Sequence, residues 1–203
     1  MRREWHVTVV AVAALAIGVV AAEPYARLAA PYYAFVARLF AHGHPWEVLD
    51  VIVGKDETGQ VTVLRLDAIV RRMRDDPAPA AIVNSGLHLG AVAQNPVIFW
   101  SVLLLWPVRL IGPRWRVLLV GAPLFLGLEA VTTVCQLLNP LADASAVLAG
   151  DAVPFTAWEG WSRFLESGGR FALALGAGLL TLAAAAALQW RHQRMLSAAS
   201  TKL

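Results

Sequence analysis

The chain has 203 residues, 58% apolar and 15% charged, and its mean hydropathy is +0.59. Soluble domains carry about 25% charged and about 45–50% apolar residues, so the composition excludes an ordinary soluble domain. The apolar residues fall in a few long runs, which is typical of an integral membrane protein. One cysteine excludes a disulfide framework and a cysteine-based metal cluster. The net charge of +3 is small and the arginines lie beside the apolar runs, which argues against nucleic acid as a partner.

Four apolar stretches come close to the ~20 residues that a helix needs to cross a bilayer core. They are Val7–Ala22, Asn95–Ile111, Val117–Leu138 and Phe171–Trp190. The sequence therefore predicts an all-α membrane protein with four transmembrane helices and a small extracytoplasmic β-hairpin insertion.

The predicted helices divide the chain into three parts. Residues 1–22 form the first transmembrane helix, which is interpreted as an uncleaved signal anchor, with a cleaved signal peptide as the alternative. Residues 23–94 form an extracytoplasmic segment. Residues 95–203 form a three-helix transmembrane region, in which 139–169 is an outer loop with aromatic side chains at the membrane interface.

Charged residues near the apolar runs predict the orientation in the membrane. Basic residues gather at the N terminus, around 109–116 and in the C-terminal tail, whereas the 139–169 loop is mainly acidic. The positive-inside rule then predicts a multi-pass protein of the bacterial inner membrane, surrounded by membrane lipid, with both termini cytoplasmic.

Within the extracytoplasmic segment, apolar residues recur at three- and four-residue steps over Tyr25–Phe40. This predicts an amphipathic helix that lies on the membrane surface or packs against the other helices. Two short strands, Trp46–Val53 and Val61–Leu66, flank the turn Gly54–Gln60 and predict the hairpin. The small and polar residues of Asn84–Gly90 predict an irregular approach to the second membrane helix.

A polar seam runs through the third predicted helix. Glu129 lies near its middle, and Thr132, Thr133 and Gln136 follow at three, four and seven residues, which places them on one helical face. An ionised carboxylate in a bilayer costs about 2.5–3.5 kcal/mol, so Glu129 needs a partner, a proton or a wet cavity. Three interpretations remain open: contact between helices of this chain, a docking face for another membrane protein, or a proton or substrate site. In the first interpretation, Ser101, Gln94 or Asn95 at the second helix would pair with the seam.

Three further residues are secondary candidates for a site: His88, Cys135 and Arg170. A reactive thiolate needs an electropositive and partly exposed setting, whereas Cys135 lies in an apolar run. No nucleophile elbow, phosphate loop or dinucleotide fingerprint occurs. The sequence therefore predicts no catalytic residue, no metal and no cofactor.

The order of these segments resembles the small polytopic membrane proteins that accompany exosortases, in particular those of the exosortase H type. The residues that carry the resemblance are Val83-Asn84, Gly86, Gly90 and Leu128-Glu129-Ala130. The resemblance implies an accessory role beside an exosortase-like enzyme in protein sorting or envelope assembly, and it brings no catalytic residues. The alternative is a small membrane-embedded enzyme or proton-coupled carrier that uses Glu129.

Overall fold

The fold was analysed in a computed structural model of the chain. The structure describes the backbone of residues 2–56, 58–70, 81–105, 114–149 and 157–200. Within these ranges, side chains are described except at residues 2–15, 19, 114, 148–149, 157–158, 192–193 and 196–200.

Six helices and three strands make up this part of the chain. In chain order they are α1 (Arg2–Ala41), β1 (Trp46–Lys55), β2 (Thr62–Val70), β3 (Ala81–His88), α2 (Leu89–Leu105), α3 (Arg114–Glu129), α4 (Cys135–Ala149), α5 (Ala157–Phe164) and α6 (Arg170–Ser200). A π-helical turn, Ala130–Val134, joins α3 directly to α4.

The strands form an antiparallel sheet in the order β1-β2-β3. Val51 pairs with Leu66, and Leu66 pairs with Ser85 on the other side. A bulge at Leu49 shifts the β1–β2 register by one residue. The side chains of Val51, Leu64 and Leu66 are buried, which gives the sheet one apolar face that helices must cover.

Helix α1 covers that face with small side chains. Its buried side includes Ala26, Ala30 and Ala37 together with Tyr33. Alanine lets the helix axis approach the sheet closely, because its side chain ends at Cβ. The predicted amphipathic helix is thus the second half of one long helix, which runs through Pro24 and Pro31 without ending.

Two clusters of buried apolar side chains divide the molecule. One joins the sheet, the second half of α1 and α4, with Leu66 and Leu141 among its members. We call this part the head. The other joins α2, α3 and α6 around Phe99 and Leu182, and we call it the base.

The prediction of an all-α protein with four membrane helices is wrong. Among the described residues, two helical stretches are long and apolar enough to cross a membrane, Trp115–Val147 and Glu159–Arg191. The described part of helix α2 has 17 residues and is about 26 Å long, against about 30 Å for a bilayer core. The predicted first span, Val7–Ala22, lies in α1, and most of its side chains are outside the described ones.

The sheet is the second departure from an all-α fold. The stretch Asn84–Gly90 was expected to be irregular, but its first five residues belong to β3 and its last two begin α2. Strand β3 pairs with β2 along its whole length. Asn84, Ser85 and Gly86 have low strand propensity, but pairing with β2 outweighs that local preference. The charged residues 71–76 and the basic turn 109–113 lie outside the described residues.

Candidate functional site

Glu129 is the most deeply buried acidic side chain among the described residues, with 1% of its surface exposed. Its Oε2 atom accepts hydrogen bonds from the Tyr33 hydroxyl of α1 and from Thr133 Oγ1, the latter at 3.1 Å. Tyr25 extends this chain, because its hydroxyl lies 3.3 Å from that of Tyr33. The carboxylate therefore fastens α1 to the helix that carries it.

The π-helical turn begins directly after Glu129 and contains the next two polar residues. Thr132 and Thr133 are fully buried there. Thr132 Oγ1 donates to the Leu128 carbonyl at 2.7 Å and accepts from Asn95 Nδ2 of α2 at 2.6 Å. A π turn inserts one residue into an α-helix and is frequent at functional sites. Here it brings two threonines into the interior beside the carboxylate.

Arg170 approaches the same region from α6, and only 3% of its surface is exposed. Its Nη1 donates to the Ala91 carbonyl at 2.5 Å, and its Nη2 donates to Gln136 Oε1. The chain breaks helical geometry just before it, at Gly168, where φ is +107°. That break lets α6 start at Arg170 and direct the guanidinium between α2 and α4.

We call this set the polar layer. Its members are Tyr25, Tyr33, Asn95, Glu129, Thr132, Thr133, Gln136 and Arg170. It lies between the apolar clusters of head and base, and it links α1, α2, α3, α4 and α6. Glu129 and Arg170 attract each other within it. Opposite charges in one buried layer offset part of the cost of removing each from water.

Two buried oxygen atoms of the polar layer, Glu129 Oε1 and Asn95 Oδ1, make no hydrogen bond of normal geometry with the described residues, although the Asn95 side chain also interacts with the Glu129 carboxyl group. A buried acceptor left unpaired costs about 1–3 kcal/mol. The layer could therefore hold one more donor, such as a proton on the carboxyl group.

All four residues of the predicted seam lie in the polar layer, and so does Arg170. Three residues of α2 were candidates to pair with the seam, and of these Asn95 does so, by its hydrogen bond to Thr132. Ser101 and Gln94 instead line apolar cavities beside α1. The sequence did not point to Tyr33 and Tyr25 as members of the site. They are eight residues apart and so share a helical face. Because a buried tyrosine hydroxyl usually has a hydrogen-bond partner, two tyrosines on one face could have suggested a polar partner for that face.

The side chains of the two remaining candidates form no hydrogen bond to the polar layer among the described residues; Cys135 reaches it only through its backbone N–H, which donates to the Thr132 carbonyl. Cys135 is buried at the start of α4 as a free thiol. His88 is exposed at the end of β3, where it borders a groove with Arg65 and Asn84. The described residues contain no group of three or more His, Cys, Asp or Glu side chains that could hold a metal ion.

The hairpin turn is stabilised by its own aspartate. Asp56 Oδ1 accepts from the backbone N–H groups of Gln60 and Val61, at 2.9 and 3.1 Å, and Oδ2 accepts from Thr58 Oγ1 at 2.7 Å. These donors stabilise the ionised form, led by Thr58, and they lower the pKa of Asp56. The carboxylate thus accepts hydrogen bonds from the protein on both oxygens, and these bonds hold the turn closed.

No family model, curated protein or solved structure matches this chain.

Proposed function

We propose that this protein is a non-catalytic accessory subunit of a bacterial inner-membrane complex that sorts exported proteins or assembles the envelope. The base helices lie in the bilayer, and the head stands outside it against another integral membrane protein. The resemblance to the small membrane proteins that accompany exosortases is the reason to name an exosortase-like enzyme as that partner.

The observation that carries this proposal is that the polar layer is engaged inside the chain. Tyr33 and Thr133 bind Glu129, and Arg170 binds Gln136 and a backbone carbonyl. The seam therefore acts as a connection between helices, and its members Glu129, Thr132 and Thr133 are sealed from solvent. A scaffold needs such a rigid centre, whereas a catalyst needs access for its substrate.

Exposed apolar side chains support a membrane setting for the base. Leu118 and Leu119 on α3 and Leu180 on α6 are each more than half exposed. Side chains of this kind suit lipid or the helix of a neighbouring membrane protein.

Basic residues support the orientation. Arg191 and Arg194 follow the apolar part of α6, at the end away from Arg170 and the head. Under the positive-inside rule this end is cytoplasmic, and the head is extracytoplasmic.

The alternative is a small membrane enzyme or proton-coupled carrier that uses Glu129. It is favoured by the two buried oxygens that make no hydrogen bond of normal geometry with the described residues, Glu129 Oε1 and Asn95 Oδ1, because a carrier needs a carboxyl group that can gain and lose a proton.

Glu129→Gln separates the two functions, because glutamine keeps the shape and an acceptor for Tyr33 but cannot ionise. The assay is complementation of a deletion strain, with the amount of protein in the membrane measured alongside. An accessory subunit keeps function in proportion to the protein present. A carrier or enzyme loses function while the protein stays at its normal level, which would contradict the proposal.

A further inference from the structure

Strand β1 forms one edge of the sheet, and its hydrogen-bonding groups can be assigned from the register. Asp56 N–H donates to the Val61 carbonyl at 2.8 Å, which fixes that pair as a hydrogen-bonded one. In an antiparallel ladder such pairs alternate with pairs whose backbone groups point away from each other. The backbone N–H and C=O groups of Val51, Val53 and Lys55 therefore point away from β2, towards the open edge.

The bulged end of this edge is already covered by side chains. Arg38 of α1 donates to the carbonyls of Val48 and Leu49, at 3.4 and 2.6 Å. Asp50 Oδ1 accepts from its neighbour, the Val51 N–H, at 2.8 Å. From the Val51 carbonyl to Lys55 N–H, no hydrogen bond from the described residues occupies the outward backbone groups. Natural proteins cover or charge the edges they do not use, and within residues 51–55 Lys55 alone is charged.

A groove of about 490 Å³ runs between this edge and α1. Ala30, Pro31 and Ala34 line its helical side. Short side chains on this side keep the groove open along the outer edge of β1. A helix beside an open sheet edge is a geometry in which a peptide can add as a strand.

Charge and apolar surface indicate what kind of segment fits. Arg27 and Arg38 lie at the two ends of the helical side of the groove. Arg27 is paired with Glu23 at 2.6 Å, whereas the only recorded acceptors of Arg38 within the described residues are the two β1 carbonyls. An acidic side chain would therefore find an available cation at Arg38.

A row of large apolar side chains follows α1 beside the groove. Leu28, Phe35 and Leu39 are 83%, 65% and 66% exposed, and their spacing places them on one face of the helix. A row of this kind outside a hydrophobic core marks a surface that another protein covers.

We propose that the outer edge of β1, from Val51 to Lys55, accepts an extended segment of the partner protein as a fourth strand, with an acidic side chain of that segment paired to Arg38. Val53 would exchange both of its backbone hydrogen bonds with the added strand. This inference rests on the accessory function, because it states how that partner is recognised.

The test is site-specific photocrosslinking in the full-length protein, in membranes of the native host. A photoreactive amino acid replaces Ile52 at the β1 edge, and the control position is Ile82 on β3, which is 70% exposed. Val53→Pro removes an outward N–H without removing a β2 hydrogen bond, and Val53→Ala keeps that N–H. Lys55→Pro and Lys55→Ala form a second pair at a more exposed position, for use where Val53→Pro fails to accumulate. Arg38→Gln tests the charge.

We expect a partner segment containing Asp or Glu to be crosslinked from position 52 and not from position 82. Its yield should fall about tenfold with Val53→Pro or Lys55→Pro, because each proline removes an N–H that the added strand would bind, and it should stay within about twofold with the alanine variants. A tenfold fall corresponds to about 1.4 kcal/mol of binding free energy. Arg38→Gln should lower the yield as well.

Four results would overturn the inference. Adducts that the proline variants leave unchanged would exclude strand addition, and adducts with a second copy of this chain or with lipid would identify a different occupant. If a stoichiometric partner purifies with the protein but crosslinks only elsewhere, this inference fails while the accessory function stands. If no partner purifies at all, both fail.

Discussion

At the scale of single residues, the interior of this protein depends on polar groups that satisfy one another. Glu129 would be costly in a dry interior, but Tyr33 and Thr133 donate to it and Arg170 adds an opposite charge. Hydrogen bonds to charged groups contribute about 1.5–3 kcal/mol each, and losing one partner exposes the full desolvation cost of the other. Stability should therefore depend more on Tyr33 than on its neighbours.

Two adjacent tyrosines test this directly. Tyr33→Phe should lower the free energy of unfolding by about 1.5–3 kcal/mol, because the buried carboxylate loses a donor that water cannot replace. Tyr32→Phe is the matched control. Its hydroxyl donates to the Leu126 carbonyl at 2.5 Å in a more exposed position, and we expect a loss of about 0.5 kcal/mol. Thermal unfolding in mild detergent measures both, and equal losses would refute the special role of Tyr33.

The pKa of Asp56 gives a second prediction at this scale. Since donors from Thr58, Gln60 and Val61 lower it in the folded state, Asp56 stabilises the hairpin fully above its unfolded pKa of about 3.9. That contribution is lost as the pH falls through the lower, folded pKa. Carboxyl ¹³C NMR titration should show a depressed value that rises in Thr58→Ala. An ordinary value in the intact protein would contradict the turn geometry described above.

At the scale of elements, helix interruptions position the polar layer. The π-helical turn after Glu129 brings Thr132 and Thr133 inside, and the break at Gly168 starts α6 at Arg170. Both interruptions thus lie next to a buried charged residue.

The break depends on a glycine, which a pair of substitutions can show. Gly168 has φ of +107°, so Gly168→Ala should destabilise the protein by about 1 kcal/mol or more. Gly176 lies inside α6 with open space around it, and Gly176→Ala should instead stabilise by about 0.5–1 kcal/mol. Thermal unfolding distinguishes them, and a neutral Gly168→Ala would mean that the break does not need a left-handed residue.

The sequence predicted those elements whose residue pattern lies within one short segment of the chain. The β1–β2 hairpin followed from strand residues on either side of a Gly-containing turn, and the seam followed from the spacing of Glu129, Thr132, Thr133 and Gln136. Strand β3 could not be predicted, because its polar residues become a strand only through pairing with β2. The role of Tyr33 was hidden for the same reason, since its partner lies 96 residues away.

The ends of the membrane helices could not be predicted from the sequence for a different reason. The third apolar run was expected to end at Asn139-Pro140, but the helix continues through Pro140 to Ala149. The stretch Trp115–Val147 is 33 residues, about 50 Å, which exceeds the bilayer core of about 30 Å. Its excess length packs against the sheet in the head, and hydropathy alone does not reveal such packing.

At the scale of the whole molecule, the polar layer joins an apolar base to a mixed head. Head and base are therefore expected to hold a fixed orientation, with the head presented at one side of the membrane. This arrangement predicts opposite accessibility at the two ends of the structure.

Cysteine labelling tests the orientation in a Cys135→Ala background. Thr58→Cys, in the hairpin turn, should react with a membrane-impermeant maleimide in spheroplasts. Arg194→Cys, at the far end of α6, should react only after the membrane is opened. Equal labelling of both in intact spheroplasts would refute the proposed orientation, and lysed spheroplasts provide the labelling maximum for each.

The accessory function itself is tested most directly by purifying the protein from native membranes in mild detergent, followed by crosslinking and mass spectrometry. We predict a second integral membrane protein in stoichiometric amount, with crosslinks to the head. A monodisperse preparation of this chain alone, at native expression and after crosslinking before extraction, would contradict the proposal and favour a carrier or enzyme that uses Glu129.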